Sequence, residues 1–286
     1  MIDQLQTTAL SLAWLAAIFV PLEWARPAWP GQARRRIGLL ADFGFFLGQY
    51  LLFGAAAVWL LGIVAPHLAG LSSLASVQAS VAALPVPIQL ALALVLGDFV
   101  AYWGHRLQHR VDFLWRFHAV HHTAEKLDWL AAHREHPLDG IYTQTLVNLP
   151  AIALGLSLEH AFGLVAFRSL WAILIHANVR LPLGPLRMMF GAPELHHWHH
   201  ARCRDVGNYA NLAPWLDWVF GTHYCAPHEP DDLGIEEPHP RGYFALLVWP
   251  FTRINWGRAW RAALRPSWSR TRPHDATTCA PRMRSR

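Results

Sequence analysis

HRLQHRVDFLWRFHAVHH, residues 105–122, holds two histidine patterns. His105 and His109 stand four apart; His118, His121 and His122 follow at spacings of three and four. Residues at i, i+3 and i+4 share one face of a helix. The first pattern therefore aims two imidazoles one way and the second is expected to aim three. The stretch ELHHWHH, residues 194–200, repeats the second spacing with His196, His199 and His200. Neutral imidazole is a ligand for iron, zinc, copper and nickel. Eight clustered histidines exceed what one tetrahedral metal needs, so the pattern predicts a site for two metals. Scattered polar or pH-sensing histidines would not repeat one spacing in separate clusters.

Outward from the first cluster the chain turns apolar. Of 286 residues, 53% are hydrophobic and only 15% charged, well below the roughly 25% charge usual in soluble domains. With 15 tryptophans, many flanking apolar runs beside arginine, this composition predicts a membrane protein with interfacial anchors. The formal charge of +5 then fits basic inner loops and anionic lipid contact rather than nucleic acid. Three cysteines, Cys203, Cys225 and Cys279, show no CxxC spacing. They supply no disulfide framework and no thiolate site, and are expected to be reduced.

The order of segments predicts an all-α integral membrane bundle of about four to five membrane segments, with a histidine-rich metal-binding cap facing the cytosol. Residues 7–24 form a first span, without the basic stretch and A-x-A site of a cleaved signal. Arg34, Arg35 and Arg36 read as a cytoplasmic topology marker in a solvated loop. Residues 37–65 make a second span with Asp42 as its only charge, 66–82 a weakly polar outer segment, and 83–104 a third span running straight into His105. If the three arginines are inside, His105 arrives at the cytoplasmic face. Residues 140–177 suggest two further passes joined at SLEH, 157–160, with Arg168 inside the second. Residues 243–262 read as an interfacial helix, and the tail from Arg265 as basic and disordered. The expected division is 1–82 for N-terminal membrane helices, 83–225 for the catalytic region, and 226–286 for the interfacial helix and tail.

Two more histidines join the candidate ligands: His136 in HREHP, and His176 at the end of the fifth apolar segment. His133 and His197 lie inside clusters but off the repeated spacing. An all-histidine shell suits a redox pair better than structural zinc, which usually takes cysteine. Metal-bound imidazoles are commonly held by an outer carboxylate. Asp98, two helical turns before His105 and costly inside an apolar span, is the first candidate, and Asp217 a further one.

GDFVAYWGHRLQH, LWRFHAVHH, HREHP, HANVRLP and PELHHWHH, followed by GNY and LDWVFGT, occur in order over about residues 90–225. Together they resemble the fatty acid hydroxylase and sterol desaturase superfamily. That resemblance implies a membrane-bound non-haem di-iron oxygenase, with two irons bound on the cytosolic side and O2 as co-substrate. It implies hydroxylation or desaturation of a lipid whose tail lies between membrane helices. The ligands it implies are His105, His109, His118, His121, His122, His196, His199 and His200, with His136 and His176 matching two further boxes. Two departures occur, Ala210 where the family carries glycine in NYG and Leu216 before Asp217 where it carries tryptophan. Both touch loop shape and leave the histidines intact. No carrier domain is fused within these motifs, so electrons are expected from a separate donor of cytochrome b5, ferredoxin or rubredoxin type. Composition and the arginine marker suggest a multi-pass protein of a bacterial inner membrane. A competing reading, a metal transporter or metal sensor, places its histidines at mid-membrane; here they cluster where spans end.

Overall fold

The computed structural model describes residues 2–69 and 71–252. Among them there are no strands, only one isolated bridge between Ala201 and Leu233. Helix α1, Ile2–Ala25, is 24 residues long, or about 36 Å, enough to cross a hydrocarbon core of about 30 Å. Prolines 27 and 30 and the left-handed Gly31 end it. Helix α2, Leu39–Gly48, passes through a π-helical turn at Gln49–Phe53 into α3, Gly54–Ala69. Residues Leu39–Val64 form one continuous apolar helix of 26 residues. A short α4, Ser72–Ala82, precedes α5, Val86–Arg110, which starts with proline in its first turn and carries Asp98, His105 and His109.

Among the described residues, three helices are thus long and apolar enough to cross a membrane: α1, the α2–α3 unit and α5. The other two expected passes are a hairpin of α7, Pro137–Ala153, and α8, Leu158–His176. At 17 residues α7 reaches only about 26 Å, and α8 carries Glu159 and Arg168. The turn expected at SLEH is present: Gly155 takes φ +74° and Ser157 caps α8 by accepting from the His160 N–H. The hairpin returns His176 to the end of the bundle where α5 finishes. The spans keep large apolar side chains on their outer faces, Trp14, Leu40 and Trp59 among them at 69%, 85% and 69% exposure, as a lipid-facing surface requires.

Beyond α5, the chain forms α6 (Asp112–His122), a 3-10 turn at Ala131–His133, a second at Gly184–Met188, α9 (Pro193–His199), α10 (Trp215–Val219) and α11 (Tyr243–Thr252). One apolar cluster joins α1, α2 and α8 through Leu15, Phe19, Phe46 and Ile173. Another seats α11 on α2 and α6 through Leu246, Trp249, Phe45 and Trp115. The other side of α11 leaves Phe244 and Val248 exposed. The rest of the expected interfacial helix, and the basic tail with Cys279, lie outside the described residues.

One expectation is corrected. Arg36 is not part of a solvated cluster: it is buried and paired with Asp42 at 2.6 Å and with Asp128. Asp42 also binds Arg134, so the lone charge of the second span is neutralised by two arginines from outside it. Cys225 is free.

Candidate metal centre

Four short pieces of chain converge at the end of α5. His105 and His109 lie one turn apart on that helix, His118, His121 and His122 on α6, His176 at the last position of α8, and His196, His199 and His200 on α9 and its C-cap. They form two groups. His105, His109, His118, His122 and His199 make one; His121, His176, His196 and His200 make the other; within each, one ring nitrogen per residue lies within 4.8 Å of the rest. Eight of the nine are buried and His105 is half-buried.

The expectation that one face of α6 aims three imidazoles together does not hold. His118 and His122, four apart, face the first group, while His121 faces the second. Adjacent residues diverge by about 100° around a helix, so the pairs His121–His122 and His199–His200 each divide between the groups. The rings of His122 and His200 stack at 4.4 Å across the boundary. The doubled histidine is therefore the element that holds two sites side by side.

The outer nitrogens reveal the tautomers. The Nδ1 atoms of His105, His109 and His199 donate to the carbonyls of Tyr209 (2.8 Å), Arg204 (2.5 Å) and Gly207 (2.7 Å). Those of His121 and His176 donate to the carbonyls of Arg134 and Ala172, at 3.0 and 2.6 Å. A carbonyl only accepts, so each of these rings carries its proton on Nδ1 and presents a bare Nε2 inward. Yet Nε2 of His121 stands 2.9 Å from Nε2 of His176, and Nε2 of His105 stands 3.1 Å from that of His118, whose Nδ1 donates to Asp139. Lone pairs facing each other at that distance repel unless a cation lies between them. Two nitrogens bound at right angles to one metal, each at about 2.1 Å, stand about 3.0 Å apart. The Nε2 atoms of His109 and His199 are buried without a partner among the described residues, as ligands awaiting a metal would be. Donor type, spacing and orphaned nitrogens thus fit a transition-metal ion in each group.

Burial first, then the neighbouring imidazoles, hold His118, His122, His196, His199 and His200 well below the usual histidine range; burial pushes His121 down to about 4. All are neutral at pH 7, the form that binds metal.

His136 stands apart from both groups. Its Nε2 meets the Leu247 carbonyl at 3.1 Å and its Nδ1 accepts from the Leu138 N–H, capping α7. His133 faces Gln49, and His197 lies between Glu229 and the Ala177 carbonyl. Asp98 does not make the expected hydrogen bond to an imidazole. It accepts from the backbone of Leu212 and Ala213 and faces Arg168 at 3.7 Å. Asp217 likewise accepts from backbone, at Tyr209 and Ala210, and from the Thr222 hydroxyl. Both carboxylates hold the loop that supplies carbonyls to His105 and His199, one step removed from the rings. The carboxylate that does hold a site histidine, Asp139, was missed by sequence reasoning: it follows HREHP at the start of α7 with no spacing to mark it. The carbonyl partners carry no side-chain signature either. Only Gly207 and Asn208, consecutive residues at φ +102° and +54°, hint that the backbone there is bent to a purpose.

Residues 90–222, which contain all nine clustered histidines, match the fatty acid hydroxylase family model. The chain is 35% identical over 173 residues to the ornithine lipid hydroxylase OlsE of Rhizobium tropici, covering 59% of this chain and 52% of that protein. It is 34% identical over 144 residues to the alkylglycerol monooxygenase of Homo sapiens (49% and 32%). It is 30% identical over 154 residues to a putative Delta(7)-sterol-C5(6)-desaturase of Arabidopsis thaliana (52% and 53%). The chain therefore spans about half or less of the length of these relatives. No solved structure matches. Histidine groups, apolar helices and sequence similarity converge on the same residues, and residues 90–222 of this chain match the fatty acid hydroxylase family.

Proposed function

We propose that this protein is a membrane-bound, non-haem di-iron oxygenase that hydroxylates or desaturates a lipid, using O2 and electrons from a separate carrier. The observation that carries the reading is the pair of all-histidine groups, side by side and buried, at the end of an apolar helix. His105, His109, His118, His122 and His199 would hold one iron; His121, His176, His196 and His200 the other. Such a pair, when bound, supplies the activation of O2 needed to attack an unactivated C–H bond.

The chain's own residues do the remaining work. Five backbone carbonyls and Asp139 keep six imidazoles in one tautomer, so the donors are set before a metal arrives. Burial removes water that would quench a reactive site. We assign the site to the cytoplasmic side of a bacterial inner membrane, reached by four to five membrane segments with the α7–α8 hairpin included. The substrate class follows the relatives: a lipid, whether sterol, fatty acyl or ether-linked, attacked at an unactivated carbon. The donor is a small carrier of cytochrome b5, ferredoxin or rubredoxin type, and the catalytic region is 83–225.

The test is purification in detergent, anaerobic loading with ferrous iron, and incubation with lipid extract, O2 and a reductant, wild type beside His199→Ala. Lipid products gaining 18O from 18O2, or losing two hydrogens, in the wild type alone are expected. Oxygen-dependent product formation unchanged in His199→Ala would overturn the reading.

A further inference from the structure

The two histidine groups are not equally supported. In the five-histidine group, three outer nitrogens are held by carbonyls of one short loop: Arg204, Gly207 and Tyr209. A fourth, on His118, is held by Asp139. The loop itself is pinned. Asp217 accepts from Tyr209 and Ala210, while the Asn208 side chain bridges Leu195 and Tyr224. A Cβ on Gly207 would meet the Thr222 carbonyl at 2.0 Å, so the loop sits directly on the strand of chain behind it.

In the four-histidine group only His121 and His176 have outer nitrogens held by carbonyls. The Nδ1 atoms of His196 and His200 are buried and meet no partner among the described residues. Both rings come from α9 and its C-cap. A ring with a fixed outer hydrogen bond has its tautomer and tilt set in advance and is a stronger base; each such partner is worth about 10- to 100-fold in metal affinity. A ring without one must be oriented by the metal itself, and its buried N–H stays unsatisfied. The group with fewer outer contacts is also the one with fewer ligands, four against five.

From this asymmetry we infer that the four-histidine position is the weaker of the two metal positions, filling last and emptying first. The inference rests on the two-metal reading above and adds an order to it. Metal occupancy at His121, His176, His196 and His200 then decides whether the centre is complete, while the five-histidine position keeps its ion.

The experiment uses the full chain in detergent, titrated anaerobically with Co2+ and then challenged with increasing chelator. Two equivalents are expected, separated by at least about tenfold in chelator concentration, the difference made by a single outer partner. His200→Ala is expected to bind only the tight equivalent. His109→Ala, in the five-histidine group, is expected to weaken the tight equivalent and leave the weak one at its wild-type affinity. Either variant decides the question if the other fails to fold. Loss of both equivalents together, a His109→Ala protein that loses the weak equivalent and keeps the tight one, or a His200→Ala protein that keeps the weak equivalent would overturn the inference while leaving the two-metal reading intact. A wild type that binds no metal would overturn both.

Discussion

Replacing Asp139 with alanine tests whether the outer contacts, and not the histidines alone, make the site. Asp139 is 3% exposed; one carboxylate oxygen accepts from His118 Nδ1 at 2.9 Å and the other from Gln108 Nε2 at 2.6 Å. The substitution removes the side chain that fixes the proton of His118 on Nδ1; Gln108 Nε2 still reaches Thr143 Oγ1 at 3.4 Å, so the imidazole is the donor left stranded. Loss of such a partner costs about 10- to 100-fold in metal affinity, or about 1.4–2.7 kcal/mol. Asparagine gives no escape, because its one acceptor oxygen can serve either His118 or Gln108 and its amide N–H then opposes the other donor. Gln108→Ala is the control, since it removes the second contact and leaves the imidazole held. The assay is chelator competition on Co2+-loaded protein. Asp139→Ala is expected to weaken one equivalent by at least about tenfold, with Gln108→Ala near wild type. Unchanged affinity in Asp139→Ala, with helix content preserved by circular dichroism, would refute the reasoning.

Three further outcomes follow from the same geometry. Gly207→Ala places a Cβ 2.0 Å from the Thr222 carbonyl at φ +102°, so it should displace the carbonyl that holds His199 and lower metal content; full retention of two equivalents would argue otherwise. Arg168→Ala leaves Asp98 buried without its cation, a loss of about 3 kcal/mol, at the low end for a broken buried pair because two backbone N–H groups still serve the carboxylate; thermal unfolding in detergent measures it. In the metal-free protein, His121 has a folded pKa near 4 against 6.5 for an ordinary histidine, so between these values the unfolded chain binds more protons. Melting temperature should therefore hold level above about pH 6.5 and fall as pH drops toward 4, and a flat profile across that window would contradict the burial of the cluster.

Much of the chemistry was legible in the order of residues. An i, i+4 pair of histidines shares a helix face whatever surrounds it, and the apolar run over 83–104 that leads into His105 delivers that pair to the end of a helix. Ligand identity and the membrane character of the helices depend on residue type and local period, both of which a linear chain displays. Which histidines form one group depends instead on how four separate pieces of chain meet in space. His121 and His122 are neighbours in sequence and partners of different groups; His105 and His199 are 94 positions apart and belong to one. The exclusion of His136, spent on capping α7 and on the Leu247 carbonyl, likewise follows from packing. Arg36 reads as a surface charge until Asp42 and Asp128 close around it. Most of the outer contacts are carbonyls, which every residue owns and no sequence pattern marks. Short-range geometry chose the histidines; only the fold, by bringing backbone and distant side chains to their outer nitrogens, decided how each would be aimed and how firmly each is held.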